Sequence, residues 1–202
     1  MRDKVRHGYE AGDYEGEFRN ERDIRKPELE LFQKLFDRLP EDGKILDLGC
    51  GTGEPFDRYM VDEGYDVKGI DLVEKHIHSA REHVPEAEFD QCDFFDVDPE
   101  LEKFDAVVSF YAIFHIPREE HGKLLNHIAD LTEDGGAILI TMGGGEMEEY
   151  QDDDWVGSEM IWSSYSQDKS LELVEKAGFD VVETYEEESD EEHHLWILAE
   201  KN

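Results

Sequence analysis

Three aspartates and a run of glycines mark where this chain could do chemistry. Asp47 stands before Leu48-Gly49-Cys50-Gly51-Thr52-Gly53, Asp71 ends Gly69-Ile70-Asp71, and Asp93 opens Asp93-Phe94. Alternating glycines let bare backbone turn tightly and approach a ligand, because a Cβ would block positive φ or the ligand itself. A carboxylate beside such a loop repels phosphate and suits a cationic or hydroxyl-bearing group. A second carboxylate about 20 residues further on can accept two hydrogen bonds from a ribose diol. Asp93 could accept from the amino group of an adenine ring, with Phe94 supplying apolar contact. Alone, each aspartate in so acidic a chain is an ordinary solvated residue. Their shared place at successive strand ends makes the set informative, and it points to a small, cationic, adenosine-bearing ligand.

Alternating strands and helices must bring these residues together. Pro27 suits the first turn of a helix, and Leu29, Leu31, Phe32, Leu35, Phe36 and Leu39 follow at helical spacing. Strand patterns at 44–48, 65–70, 87–91, 104–110 and 137–142 alternate with helical ones at 54–63, 73–83 and after Pro117. Thr132-Glu133-Asp134-Gly135-Gly136 reads as a turn. A helix over 166–177 ends at Gly178, and strands at 179–185 and 193–200 flank an acidic connector. The pattern predicts an α/β, Rossmann-like, doubly wound fold. Its sheet is seven-stranded and mainly parallel, with a C-terminal antiparallel strand pair. Ligands in such sheets sit at the carboxyl ends of the strands, near the switch point.

The ordered motifs carry a resemblance. Ile45-Leu46-Asp47-Leu48-Gly49-Cys50-Gly51-Thr52-Gly53 resembles the signature of class I S-adenosylmethionine-dependent methyltransferases. Gly69-Ile70-Asp71, Asp93-Phe94, Phe104-Asp105-Ala106-Val107-Val108-Ser109 and Asp134-Gly135-Gly136 match that family's later motifs in order. Asp134 is a departure, since many members have proline there; both residues suit a turn. The resemblance implies S-adenosylmethionine as cofactor. It implies that Asp47 and the Gly49, Cys50, Gly51 and Gly53 loop hold its methionine part, and that Asp71 and Leu72 take the ribose. Asp93 and Phe94 would take adenine, Ser109 and Phe110 would sit near the sulfonium, and Tyr14 would close over the cofactor. One domain is expected over 1–202. It divides into an N-terminal arm or lid (1–26), a cofactor-binding core (27–142), an insert that can cap an acceptor pocket (143–165), and a C-terminal helix and hairpin (166–202).

The acceptor side is less defined. The segment Phe110-Tyr111-Ala112-Ile113-Phe114-His115-Ile116-Pro117 should face the acceptor. It lacks the Asn/Asp-Pro-Pro-Tyr/Phe tetrapeptide of methyltransferases that modify exocyclic amines of nucleic-acid bases. His115 is a candidate general base, with an unperturbed pKa near ~6.5; otherwise it is a helix-entry histidine bonded to backbone. Tyr111 lines the site or belongs to the core. Trp155 and Trp162, with Tyr165, wall an acceptor pocket or cap the sheet edge, and Tyr9 joins Tyr14 in an arm that can close. Methyl transfer needs no base when in-line positioning supplies ~7–11 kcal/mol. No metal is expected, since His76 and His78 lie on different helix faces and Cys50 and Cys92 lack ligand spacing.

Composition narrows the partners. The chain of 202 residues carries 54 acidic and 20 basic residues, a net of −34. Such a charge suits either a basic partner or a saline cytoplasm; the spread of the acids along the whole chain favours the second, where the Debye length falls to ~3 Å and self-repulsion is screened. The chain offers no basic patch for nucleic acid. No apolar run approaches the ~18 residues of a membrane span, and no signal-type segment stands at the start. The expectation is a cytoplasmic, halophilic enzyme that methylates a small molecule; the oligomeric state is not legible. Two alternatives remain. One is a non-enzymatic S-adenosylmethionine-binding module. The other is an NAD-dependent oxidoreductase, whose fingerprint needs glycine where Glu54 or Phe56 stands.

Overall fold

The computed structural model describes residues 1–12, 23–155, 157–188 and 193–202. Its centre is a seven-stranded sheet. The strands are β1 (Lys44–Leu48), β2 (Asp66–Asp71), β3 (Glu88–Gln91), β4 (Phe104–Ser109), β5 (Thr132–Gly143), β8 (Phe179–Glu188) and β9 (His193–Lys201). Their order is β3-β2-β1-β4-β5-β9-β8. The first five pair in parallel, and β9 runs antiparallel to both β5 and β8. The sheet is thus the predicted mainly parallel one with an antiparallel pair at its end. The chain order reverses between β1 and β4, which opens a crevice at their carboxyl ends.

Apolar residues alternate between two buried faces, as a sheet covered on both sides requires. Ile45, Ala106, Val108, Leu139 and Leu198 meet Leu31, Phe32 and Leu35 of α2 (Lys26–Phe36) and Phe56 and Met60 of α3 (Phe56–Asp62). Leu46, Val107, Ile138, Ile140 and Ile197 meet Leu124, Leu125 and Ile128 of α5 (Arg118–Leu131) and Val174 of α6 (Gln167–Lys176). The helix α4 (Glu74–His83) buries Ile77 and Ala80 beside Phe89 of β3.

The structure departs from the sequence reading in three places. The segment 132–136, read as a turn, forms the start of β5: Thr132 pairs with Phe104, and the register then shifts around Gly135, whose φ is 77°. The bend is there, but it is a bulge inside the strand. The N-terminal segment carries a helix, α1 (Arg2–Ala11), that apolar periodicity does not reveal. It buries only Val5 and Gly8, and it packs on a hairpin of β6 (Met147–Trp155) and β7 (Ser158–Ser164). A Cβ on Gly8 would lie 2.5 Å from the Glu159 carbonyl oxygen, so glycine is what lets the two backbones approach. That hairpin is the third departure. It forms within the 143–165 insert, where exposed acids in β6 hide the strand pattern. No helix among the described residues is long and apolar enough to cross a membrane.

Candidate functional site

A cavity opens at the carboxyl ends of β1, β2 and β4, under α1. Its floor is the glycine loop. Gly49 has φ 87°, and a Cβ there would lie 2.5 Å from the Ala112 Cβ. Gly51 has φ 57°, and a Cβ there would meet no atom within 4 Å. Since Gly51 lines the cavity, that Cβ would take up ligand space.

Asp71 ties the loop to the end of β2. Its carboxylate accepts the Gly51 N–H at 3.0 Å and the Val73 N–H at 2.8 Å. His76 Nδ1 stands 3.4 Å away. Burial alone would raise the Asp71 pKa, but His76 and the two N–H groups outweigh it and hold the carboxyl below its ordinary value. Leu72, Asp93, Phe94 and Phe110 complete the wall. Asp93 accepts the Phe95 N–H at 3.1 Å and pairs with Arg2 of α1 at 3.2 Å. Arg2 also reaches Glu120 at 2.5 Å, and Lys4 reaches Glu159 at 2.5 Å, so ion pairs hold α1 across the opening.

Not every expected residue reaches the cavity. Asp47 is buried at the end of β1 and is not part of the lining. Gly53, at φ 79°, packs against Val84 and Phe89 instead. The Cys50 thiol is buried, which pushes its pKa well up. Ser109 is fully buried and donates to the Leu48 carbonyl at 2.7 Å, tying β4 to β1. Tyr14 lies outside the described residues.

Of the residues expected to face an acceptor, His115 and Tyr111 both line the cavity. His115 Nδ1 is 3.1 Å from the Ile161 carbonyl of β7, and its Nε2 is 2.9 Å from the Tyr9 hydroxyl. It is therefore both bonded to backbone and part of the site. Burial lowers its pKa to about 4, against smaller raising effects from the Ile161 carbonyl and Asp71. Tyr9 also meets Trp155 edge-on at 5.5 Å, and Trp162 lies 5.9 Å from His115. The two tryptophans back the site without lining the cavity. Tyr111 has φ 57°, an uncommon conformation for a non-glycine residue. Its hydroxyl lies 2.8 Å from Glu187 and 3.2 Å from Glu28, and it accepts from Arg25 at 3.0 Å. Those three residues do not line the cavity, so the hydroxyl is committed to a neighbouring buried cluster.

Sequence reasoning missed Arg2, Val5 and Arg6 of α1 and His76 of α4, all of which line the cavity. The only signal for α1 was polar mixed charge. His76 drew attention only as a metal candidate. Among the described residues no group of three or more histidines, cysteines or acids could hold a metal ion.

The methyltransferase domain family matches residues 18–184. The chain is similar to a dTDP-3-amino-3,4,6-trideoxy-alpha-D-glucopyranose N,N-dimethyltransferase of Streptomyces venezuelae, at 32% identity over 105 residues, 51% of this chain and 44% of that one. The chain spans about half the length of the curated relatives it matches. Its fold is similar to that of an S-adenosylmethionine-dependent methyltransferase of Methanosarcina mazei, with TM-score 0.73, 18% identity, and 89% and 99% of the two chains covered. It is equally similar to the magnesium protoporphyrin IX methyltransferase of Synechocystis PCC 6803 with bound S-adenosylmethionine, with TM-score 0.73, 15% identity, and 98% and 95% covered. With the family match covering most of its length, and with a glycine-floored cavity where the fold places one, the chain belongs to the methyltransferase domain family.

Proposed function

We propose that this chain binds S-adenosylmethionine in the cavity under α1 and transfers the methyl group to a small molecule. The observation that carries the reading is the Gly51–Asp71 contact. It places bare backbone and a buried carboxylate side by side on one cavity wall. The cofactor fits that wall. Gly49, Gly51, Asp71, Asp93 and Phe94 line it together, and Gly51 keeps clear the space that a side chain would fill. Asp71 retains lone pairs for ribose hydroxyls, Phe94 offers an apolar face to adenine, and Gly49 and Gly51 present backbone to the methionine part. Asp93 would share its carboxylate between Arg2 and the adenine amino group. Bound there, the cofactor supplies a sulfonium methyl carbon that is already a strong electrophile. The protein's own work is then to hold an acceptor in line and exclude water.

A small acceptor is favoured by the enclosure of the site and by the charge of −34, which opposes a polyanionic partner. The named relatives, on a nucleotide-linked sugar and on a porphyrin, are in keeping with that. The test is to incubate the protein with S-adenosylmethionine and a metabolite panel and detect S-adenosylhomocysteine by mass spectrometry. Release that depends on a panel member supports the reading. Cofactor binding without release from any of them would instead favour the non-enzymatic module.

A further inference from the structure

The cavity lining divides by charge. Asp71 and Asp93 stand with the glycine loop, and His76 is 3.4 Å from Asp71. Arg2 is engaged by Asp93 and Glu120. Arg6 lies on the side of α1 away from the hairpin. At about 100° per residue it is about 200° round the helix from Gly8, which approaches Glu159 of β7, whereas Val5 is only about 60° from Gly8. The wall that follows β4 is built from Phe110, Tyr111, Ala112, His115 and Ile116, and His115 ties it to the hairpin through the Ile161 carbonyl at 3.1 Å. Tyr9 of α1 meets that wall at His115.

No described residue of this wall brings a charge to a ligand. The Tyr111 hydroxyl is turned to Arg25, Glu28 and Glu187, none of which lines the cavity, so Tyr111 contributes ring surface. The two ring nitrogens of His115 are taken by the Ile161 carbonyl and the Tyr9 hydroxyl. Burial lowers the His115 pKa to about 4, so the ring is neutral at pH 7. Phe110 is held between Phe56 and Trp196, with ring centroids 4.3 and 5.2 Å away. Four rings thus border a space without a counter-ion. An ionised group placed there would lose its hydration and gain no partner from the wall, and a cationic one would also face the sulfonium. An aromatic ring gains area burial together with edge and offset contacts to rings already fixed in place.

Resting on the methyltransferase reading above, we propose that the acceptor is an uncharged aromatic molecule, held by ring contacts with Tyr9, Phe110, Tyr111 and His115 and by no ion pair. Val5 and Ile116 fill the remaining apolar edge of the same space. The discrimination is local to the wall and separate from the overall charge of −34, which by itself would draw cations in and turn anions away.

The test starts with calorimetry of S-adenosylhomocysteine on the wild type. Absence of binding overturns the methyltransferase reading itself, and this proposal with it. With the protein saturated by S-adenosylhomocysteine at fixed KCl and pH 7, affinities are then measured by ligand-observed NMR for a matched set: 4-methylphenol, 4-hydroxybenzoate, tyramine and 4-methylcyclohexanol. The proposal predicts that 4-methylphenol binds at least about tenfold more tightly than each of the other three. Weakening of tyramine as well as of 4-hydroxybenzoate is what separates the wall from the overall charge, which would favour tyramine. Equal or tighter binding of either charged compound, equal binding of 4-methylcyclohexanol, or no binding of 4-methylphenol to the loaded protein each overturns the proposal. Location is read from Val5→Lys and Ile116→Lys, using whichever variant still binds S-adenosylhomocysteine. The added cation is expected to raise the affinity for 4-hydroxybenzoate relative to 4-methylphenol by at least about tenfold. An unchanged ratio in a variant that binds S-adenosylhomocysteine places the ring elsewhere and overturns the proposal.

Discussion

Replacing Arg25 with methionine is expected to cost far more stability than a surface charge would. Arg25 stands at the N-terminal cap of α2, between two buried carboxylates: Glu28 is 0% exposed and Glu187 is 2% exposed. Its guanidinium reaches Glu28 at 2.5 Å, pairs closely with Glu187, and donates to Tyr111 at 3.0 Å. Glu187 would keep Trp196 Nε1 at 3.1 Å and the Tyr111 hydroxyl at 2.8 Å, but no cation to balance its charge would remain beside it from Arg25. Breaking a buried pair from one side costs about 3–5 kcal/mol. The Arg25 side chain is itself 40% exposed, which places the loss near the lower end, about 3 kcal/mol. At about 2–4 °C per kcal/mol for a chain of this size, Tm should fall by roughly 6–12 °C. The pH dependence follows from Glu187. Burial would raise its pKa, but Arg25, Trp196 and Tyr111 hold it well below the ordinary value. That stabilisation is present above the unfolded pKa of ~4.3 and is lost as pH falls through the lower folded value. The deficit of Arg25→Met should therefore be largest at pH 7 and shrink below pH ~4, where the carboxylates of both proteins take up protons. Urea unfolding at fixed KCl, repeated from pH 7 to 3, measures this. A deficit under about 1 kcal/mol at pH 7, or one that does not narrow in acid, would refute the reasoning.

Two further outcomes concern the whole molecule and its buried histidines. With a net charge of −34, the protein should lose circular-dichroism signal or drop sharply in Tm on dialysis from molar to millimolar KCl, as self-repulsion becomes unscreened; an unchanged spectrum and Tm would contradict the halophilic reading. Burial lowers the pKa of His115 and of His121 to about 4. Between pH ~6.5 and ~4 the unfolded chain binds protons that these folded histidines refuse, so stability falls with pH across that window, by up to about 3 kcal/mol for each. Urea unfolding of His121→Gln should show a flatter dependence there than the wild type, and an identical slope would count against the assignment.

The sheet, and the place of the glycine loop beside Asp71, were legible because their signals are local. Apolar alternation in β1, β4 and β5 follows from burial on both faces, and the spacing of Gly49, Gly51 and Asp71 is written in a single βαβ unit. The rest of the cavity's surroundings was not legible, for three physical reasons. Helix α1 gains its place from close approach at Gly8, not from an apolar stripe. Strand β6 is so exposed and acidic that only its pairing with β7 makes it a strand. The Tyr9–His115 contact joins residues 106 positions apart, which no local pattern can announce. The buried cluster was hidden differently: among 54 acids, nothing in the sequence singles out Glu28 and Glu187 as two of those taken inside.

The central claim is that the glycine-floored cavity is a binding site for S-adenosylmethionine. It is tested most directly by titrating S-adenosylhomocysteine into the wild type and Gly51→Ala in a calorimeter. An alanine at φ 57° meets no neighbour within 4 Å, so its folding cost is only the left-handed backbone, about 1–2 kcal/mol. Its methyl group nonetheless occupies the space against the loop. Saturable one-to-one binding by the wild type, weakened at least about tenfold in a Gly51→Ala protein that remains folded, is the predicted result; tenfold corresponds to about 1.4 kcal/mol. No binding by the wild type, or equal binding by the two proteins, would contradict it.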